Sequence, residues 1–162
     1  MDDLRASVRQ GIEVESIASE IGVCAVVTHE ICLHMITQKD RTDKASQAES
    51  VARSAMLGVF DSPLTMHSYT VSETTRGVIH GLVSAGMDVS YAALPALEGI
   101  KRALLALGAF TRQTEQAMRA GVKQALADLG MARLEDDQAL DLPRYYVNQS
   151  LRFGHAGLFG SI

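Results

Sequence analysis

Three stretches of the chain share one pattern: GVIHGLVSAG at residues 77–86, GIKRALLALG at 99–108 and GVKQALADLG at 121–130. They recur at an interval of 22 residues. In each copy an opening glycine precedes Val or Ile, a small residue stands fifth, leucine stands sixth, and a second glycine closes the stretch. Internal repetition of this kind indicates one structural unit used several times. The repeat therefore determines the predicted architecture of the chain.

Apolar residues within each copy follow the spacing of a helix face. In the first copy they are Val78, Leu82 and Ala85, at positions i, i+4 and i+7, which a strand's alternation does not produce. We therefore predict three helical repeats, over about 73–86, 95–108 and 117–130. The other two copies carry the same stripe as Ile100, Leu104, Leu107 and as Val122, Leu126, Leu129.

Small residues stand four apart beside this stripe. A glycine inside a helix costs roughly 0.5–1 kcal/mol relative to alanine, so its repeated use predicts a compensating close approach by a neighbouring backbone. Small residues four apart allow such an approach for steric reasons. The predicted interaction residues are Gly77, Gly81, Gly99, Ala103, Gly121 and Ala125.

The ends of the repeats carry helix start and stop signals. Gly86, Gly108 and Gly130 follow the stripe, where a left-handed glycine commonly ends a helix. Ser72 is the predicted cap of the first copy, and Pro95 the predicted first turn of the second. These signals favour short helices in antiparallel hairpins. The alternative is one long helix, since 22 residues make about six turns; it aligns Lys101, Arg112 and Lys123 along one edge.

The region before the repeats also has helical spacing. Apolar positions from Val14 to Met35 form a heptad seam, which predicts one helix, and Leu33 on an adjoining face predicts burial on more than one side. The β-branched content leaves a strand as the alternative. A further helix is predicted over 48–60, with Ala55 as a weak fourth copy of the repeat glycine. The expected fold is an all-α bundle of about five helices, forming a single domain over residues 1–141.

The last segment, LPRYYVNQSLRFGHAGLFGSI at 142–162, has a different composition. It contains half of the chain's eight Phe and Tyr residues, while its three glycines disfavour a regular helix. Aromatic residues are enriched where proteins bury contact surface. We expect an irregular tail that packs on its own core or on a protein partner through Tyr145, Tyr146, Phe153 and Phe159.

Composition excludes several classes of protein. A net charge of −4 gives no reason to expect general nucleic-acid binding. The acidic start does not resemble a secretory signal, and no apolar run approaches the roughly 20 residues of a membrane span. A cytoplasmic location is expected. Cys24 and Cys32 match no zinc or disulfide spacing and are predicted to be reduced core thiols.

Motifs for chemistry are weak. His29 and His34 are the only metal candidates, and a separation of five residues turns them about 140° apart on a helix. The paired Glu-x-x-His motif of di-iron bundles is absent from the sequence. No catalytic residue, cofactor or metal is therefore expected.

Three functions remain as hypotheses. The leading one is a non-catalytic helical scaffold or protein-interaction module that self-associates. The second is an amphipathic-repeat protein coating a lipid or storage-granule surface through peripheral contact. Its boundary residues are Lys101, Arg102, Arg112, Arg119 and Lys123. The third is a small-ligand- or metal-binding helical-bundle enzyme, with polar groups from His29, His34, His67 or His80.

Overall fold

The chain folds into α-helices, and the computed structural model describes residues 2–18, 22–38, 43–62 and 67–131. No strand is present in these four ranges. The predicted all-α bundle is therefore confirmed, with six described helices in place of about five. The helices are α1 (Asp2–Ala18), α2 (Val23–Thr37), α3 (Lys44–Phe60), α4 (Ser68–Ser84), α5 (Val89–Ala106) and α6 (Arg112–Asp128).

The additional helix comes from the segment between Val14 and Met35, where the prediction of one continuous helix is wrong. α1 ends at Ala18, and α2 starts after Gly22, whose backbone is extended at φ −75° and ψ 166°. Apolar spacing continues through this break, so periodicity alone does not reveal it. Val14, an expected member of the seam, is 54% exposed.

Three glycines end the last three helices, as predicted. Gly86, Gly108 and Gly130 have φ of 94°, 66° and 73°, a left-handed conformation that glycine adopts without steric cost. After each glycine the next N–H donates back to a carbonyl five residues earlier, with N···O distances of 2.8–3.0 Å. The alternative of one long helix is wrong because the chain leaves helical geometry at Gly86 and Gly108.

The repeat helices begin earlier than predicted. Ser72 lies inside α4, which His67 caps by accepting a hydrogen bond from the Thr70 N–H at 3.4 Å. Pro95 lies inside α5 rather than in its first turn, because Asp88 caps that helix at an earlier position. Both predictions were wrong because effective caps stand further upstream.

Glycines join alternate helices. A Cβ built on Gly77 in α4 meets the Cys24 carbonyl oxygen of α2 at 2.6 Å, which is closer than real Cβ atoms approach. The same relation joins α3 to α1, α5 to α3 and α6 to α4, and these pairs have the most extensive contacts in the fold. The glycines that make these contacts are Gly58 in α3, Gly77 and Gly81 in α4, Gly99 in α5 and Gly121 in α6.

The alternating contacts arrange the helices in two rows, α1–α3–α5 and α2–α4–α6. Gly77 faces Val27 and Gly81 faces Ile31, so positions advance together along α2 and α4 and the two helices are parallel. The glycine contacts join helices within a row and not successive repeats. They therefore do not test the hairpin pairing of the three repeats, which stays a prediction.

A buried cluster draws on all six helices. The first two stripe positions of each repeat are fully buried, whereas Leu107 is 41% exposed because α5 ends at Ala106. The stripe therefore forms the core only within the helices. Representative core residues, one from each helix in order, are Leu4, Ile31, Met56, Leu82, Ile100 and Met118.

Candidate interaction surfaces

The predicted small interaction residues all lie inside the fold. Each is buried, and each glycine among them contacts a helix of the same chain. These residues are Gly77, Gly81, Gly99, Ala103, Gly121 and Ala125. Close backbone approach is thus present, but it holds the chain together and leaves these residues no surface for a partner. The tail residues Tyr145, Tyr146, Phe153 and Phe159, and the boundary at 141, lie outside the described residues.

The metal candidates do not converge. His29 is exposed and lies beside Glu30, with 3.4 Å between Nδ1 and Oε1. Burial lowers the pKa of His34, while the nearby Asp3 carboxylate acts in the opposite direction. Over the described residues, no three His, Cys, Asp or Glu side chains group in a way that holds a metal ion.

Two thiols lie at the margin of the core. Cys24 and Cys32 form no disulfide and are partly exposed. The prediction that both lie in the core is therefore wrong. Burial raises the pKa of the Cys24 thiol, with Arg76 acting against this. The Cys24 side chain is therefore a protonated thiol at neutral pH, which is a poor nucleophile.

A polar cluster links α4 to α6. The Asp128 carboxylate accepts hydrogen bonds from Arg76 Nε at 2.6 Å, from Gln124 at 3.1 Å, and pairs with His80 Nε2 at 2.8 Å. Burial acts to raise the pKa of Asp128, but these hydrogen bonds lower it to about 2. With three partners around it, the carboxylate is an ionised structural link.

A groove runs between α1 and α2. It consists of two adjoining depressions of about 420 Å³ and 500 Å³, and Ser7 and Glu30 line both. The start of α1 faces the end of α2 in one depression, and later α1 faces early α2 in the other, so these helices are antiparallel. The remaining lining residues are Asp3, Leu4, Gln10, Gly11, Val14, Ala25, Val26, His29, Leu33, His34, Thr37 and Gln38.

Large apolar side chains are exposed at this groove. Val14 of α1 and Leu33 of α2 line it with exposures of 54% and 48%, and Ile36 nearby on α2 is 55% exposed. The expectation that Leu33 is buried is wrong, because α2 packs on α4 through the opposite side that carries Val27. Contiguous exposed apolar patches rimmed by polar residues mark interaction sites. We call this surface the α1–α2 groove.

A smaller groove lies between α5 and α6 at the other end of the rows. Its volume is about 200 Å³, and we call it the α5–α6 groove. Two of its lining residues contact each other: Lys101 Nζ lies over the Phe110 ring, 5.8 Å from the ring centre. Four apolar and four charged residues line it: Leu94, Leu97, Phe110 and Met118 with Glu98, Lys101, Glu115 and Arg119.

Neither groove has a local sequence signature. The α1–α2 groove joins Ser7 to Glu30, and the α5–α6 groove joins Leu94 to Arg119, so each depends on residues distant in sequence. No protein family, curated protein or solved structure matches this chain. Across the described ranges, no helix is both long enough and apolar enough to cross a membrane.

Proposed function

We propose that this protein is a non-catalytic helical scaffold that self-associates through the α1–α2 groove, with a second copy of the chain as its occupant. The observation that carries the proposal is the exposure of Val14 and Leu33, each about half accessible, in the lining of this groove. Covering such side chains with a partner removes apolar surface from water, which is favourable.

The position of the groove supports an interaction role. α1 and α2 are the first helices of their rows, so each is covered by the next helix of its row on one side, through Gly58 and Gly77. Stacked helical arrays need polar outer faces on their terminal units to remain soluble as single molecules. Exposed Val14 and Leu33 on the two terminal helices therefore favour association.

The chemistry of the groove suits a pair of identical surfaces. Apolar residues stand on both helices, while carboxylates at Asp3 and Glu30 and imidazoles at His29 and His34 line the same depressions. In a twofold dimer each residue that contacts another is contacted by it in return. A surface that holds both carboxylate acceptors and imidazole N–H donors can satisfy this reciprocity through hydrogen bonds.

The other two functions have less support. A lipid coat requires exposed apolar stripes, whereas Val78, Leu82, Ile100, Leu104, Val122 and Leu126 are fully buried. Among its expected boundary residues, Arg102 pairs with Glu49 at 2.6 Å and Arg119 with Glu115 at 3.2 Å. For the enzyme, His67 caps α4 and His80 belongs to the Asp128 cluster, so two of the four candidate histidines make structural contacts.

Light scattering of the full chain over a wide concentration range tests the proposal. We expect a mass above the monomer's 17.4 kDa at high concentration. The double variant Val14→Asp, Leu33→Asp, at two residues that line the groove, shifts the mass to the monomer, because an introduced charge opposes burial. Leu105→Asp is the matched control: Leu105 is 53% exposed on α5, away from the groove.

A monomeric mass for the unchanged chain at every concentration contradicts the proposal. Equal dissociation by Leu105→Asp also contradicts it, since that result assigns the effect to surface charge in general. Far-UV circular dichroism of each variant confirms that the helices remain before the masses are compared.

A further inference from the structure

The ionisable groups that line the α1–α2 groove are two carboxylates and two imidazoles. Asp3 of α1 and Glu30 of α2 supply the carboxylates, and His29 and His34 of α2 supply the imidazoles. Among the described residues, neither lysine nor arginine lines either depression. The two carboxylates give a negative surface while both imidazoles are neutral, and two protonated imidazoles cancel that charge. The charge of the groove therefore changes near the ordinary histidine pKa of about 6.5.

Both imidazoles lie under the influence of these carboxylates. His29 Nδ1 lies 3.4 Å from Glu30 Oε1 on the same helix. Burial is the main cause that lowers the pKa of His34, and the amino-terminal charge of the chain acts with it. The Asp3 carboxylate of α1 acts to raise that pKa. Each imidazole thus has a carboxylate of the groove that favours its charged form.

Other charges around α2 act away from the groove. α3 and α4 also pack on α2, but they contribute no residue to the lining of either depression. The charged groups of α4 and α6 that act on α2 do so at Cys24, which lies outside the lining; they are Glu73, Arg76 and Asp128. The two arginines of α1 form ion pairs with residues outside the lining, Arg5 with Asp61 and Arg9 with Glu13. Histidine protonation is therefore the source of positive charge within the groove lining.

A twofold interface places this surface against a copy of itself. While the imidazoles are neutral, two negative surfaces meet, and like charges brought together oppose association. Covering a carboxylate without a cationic partner adds a further cost. A protonated imidazole has two N–H donors and can give a charge-assisted hydrogen bond to a carboxylate of the other copy. Association of like surfaces therefore takes up protons.

We infer that self-association through the α1–α2 groove is regulated by pH, and that it strengthens when His29 and His34 become protonated. This regulation rests on the proposed function, since it acts on the same groove. The imidazole pKa values are then higher in the complex than in the single chain. The added affinity is complete below the pKa of the single chain and is lost as pH rises through the pKa of the complex. Each unit by which one imidazole pKa rises corresponds to about tenfold in affinity.

Sedimentation equilibrium of the full chain between about pH 7.5 and pH 5.5 tests the inference. We expect the dissociation constant of the complex to fall by about tenfold or more over this range. His34→Asn reduces this change, and the double variant His29→Asn, His34→Asn abolishes it. Glu30→Gln tightens the complex at about pH 7.5, because it removes a negative charge from the interface without protonation. Far-UV circular dichroism at each pH confirms that the helices remain.

A control is needed because the sequence pI is about 5.7, and loss of net charge by itself promotes association. His67→Asn is the matched control for His34→Asn. It removes one exposed imidazole outside the groove, and asparagine retains the ability to cap α4. We expect the complex of this variant to keep the pH dependence of the unchanged chain.

Equal loss of pH dependence in His34→Asn and His67→Asn overturns the inference, because net charge then explains the effect. A dissociation constant that is unchanged or larger at the lower pH also overturns it, as does a pH dependence that survives in the double histidine variant. These three results leave self-association itself standing. A monomeric mass at every pH and concentration overturns both the regulation and the proposed function.

Discussion

Replacing Gly121 by alanine tests whether close backbone contact holds the rows together. Gly121 is buried in α6, and a Cβ built there meets the Ser72 carbonyl oxygen and lies 2.8 Å from Thr75 Cβ. One neighbour is backbone and the other is the first atom of a branched side chain. Neither moves without displacing α4, so the added methyl group pushes the two helices apart.

The magnitude follows from two opposing effects. Alanine is favoured over glycine within a helix by roughly 0.5–1 kcal/mol, which alone stabilises the variant. Overpacking of a well-packed contact costs typically about 1–3 kcal/mol. The packing cost is the larger, so Gly121→Ala is expected to lower the free energy of unfolding by about 1–2 kcal/mol. For a chain of this length each kcal/mol corresponds to roughly 2–4 °C in Tm.

Urea denaturation of Gly121→Ala beside Ala120→Gly measures both effects in one helix. Ala120 is exposed and adjacent to Gly121, so Ala120→Gly reports the intrinsic preference without the contact. We expect both variants to be destabilised, with lower midpoints and an unchanged slope. If Gly121→Ala is stabilised while Ala120→Gly is destabilised, helix preference alone governs the site. That result refutes the account of the rows as glycine-mediated contacts.

Two further predictions concern a turn and the polar cluster. Gly108 has φ 66°, and the space around its Cβ position is open. Gly108→Ala therefore lowers the free energy of unfolding by about 1–2 kcal/mol through backbone strain alone. Gly108→Asn lowers it less, because asparagine tolerates this conformation better, and thermal melts compare the two. Equal melting of both variants with the unchanged chain contradicts this. The pKa of Asp128 is lowered to about 2 in the fold, so its stabilisation is complete above the ordinary carboxyl pKa and is lost as pH falls from about 4 towards 2. With solvent screening taken into account, Asp128→Asn is expected to remove about 1 kcal/mol of this pH-dependent stability. An identical pH profile of the free energy of unfolding for both chains contradicts this.

Much of the helical architecture could be predicted from local pattern. The helix predicted over 48–60 is α3, which begins at Lys44, and the closing glycines end α4, α5 and α6. These features depend on spacing and on the conformational freedom of glycine, both of which are local. The break at Gly22 was missed because apolar spacing persists on both sides of it, and the earlier cap Asp88 was missed because Pro95 resembles a start signal.

The candidate surfaces could not be predicted in the same way. Small residues four apart predict an interaction surface, and they do make close contacts, but Gly99 contacts Glu49 of the same chain. Whether a close contact is within one molecule or between two depends on which helices become neighbours. Leu33 likewise resembles a core residue because it is a large apolar residue in an apolar segment. It is exposed only because α2 packs on α4 through its other side.

The sequence by itself determined that the chain is helical, where three helices stop, and which residues are small enough for backbones to meet. These properties follow from side-chain size, spacing and allowed φ values, which act over a few residues. The tertiary structure alone decided that each helix from α3 onward packs against the helix two before it in the chain. It also decided that apolar residues remain exposed in grooves at both ends of the rows. Pairing depends on contacts between residues about 50 positions apart, such as Gly99 with Glu49, and no local pattern contains that information.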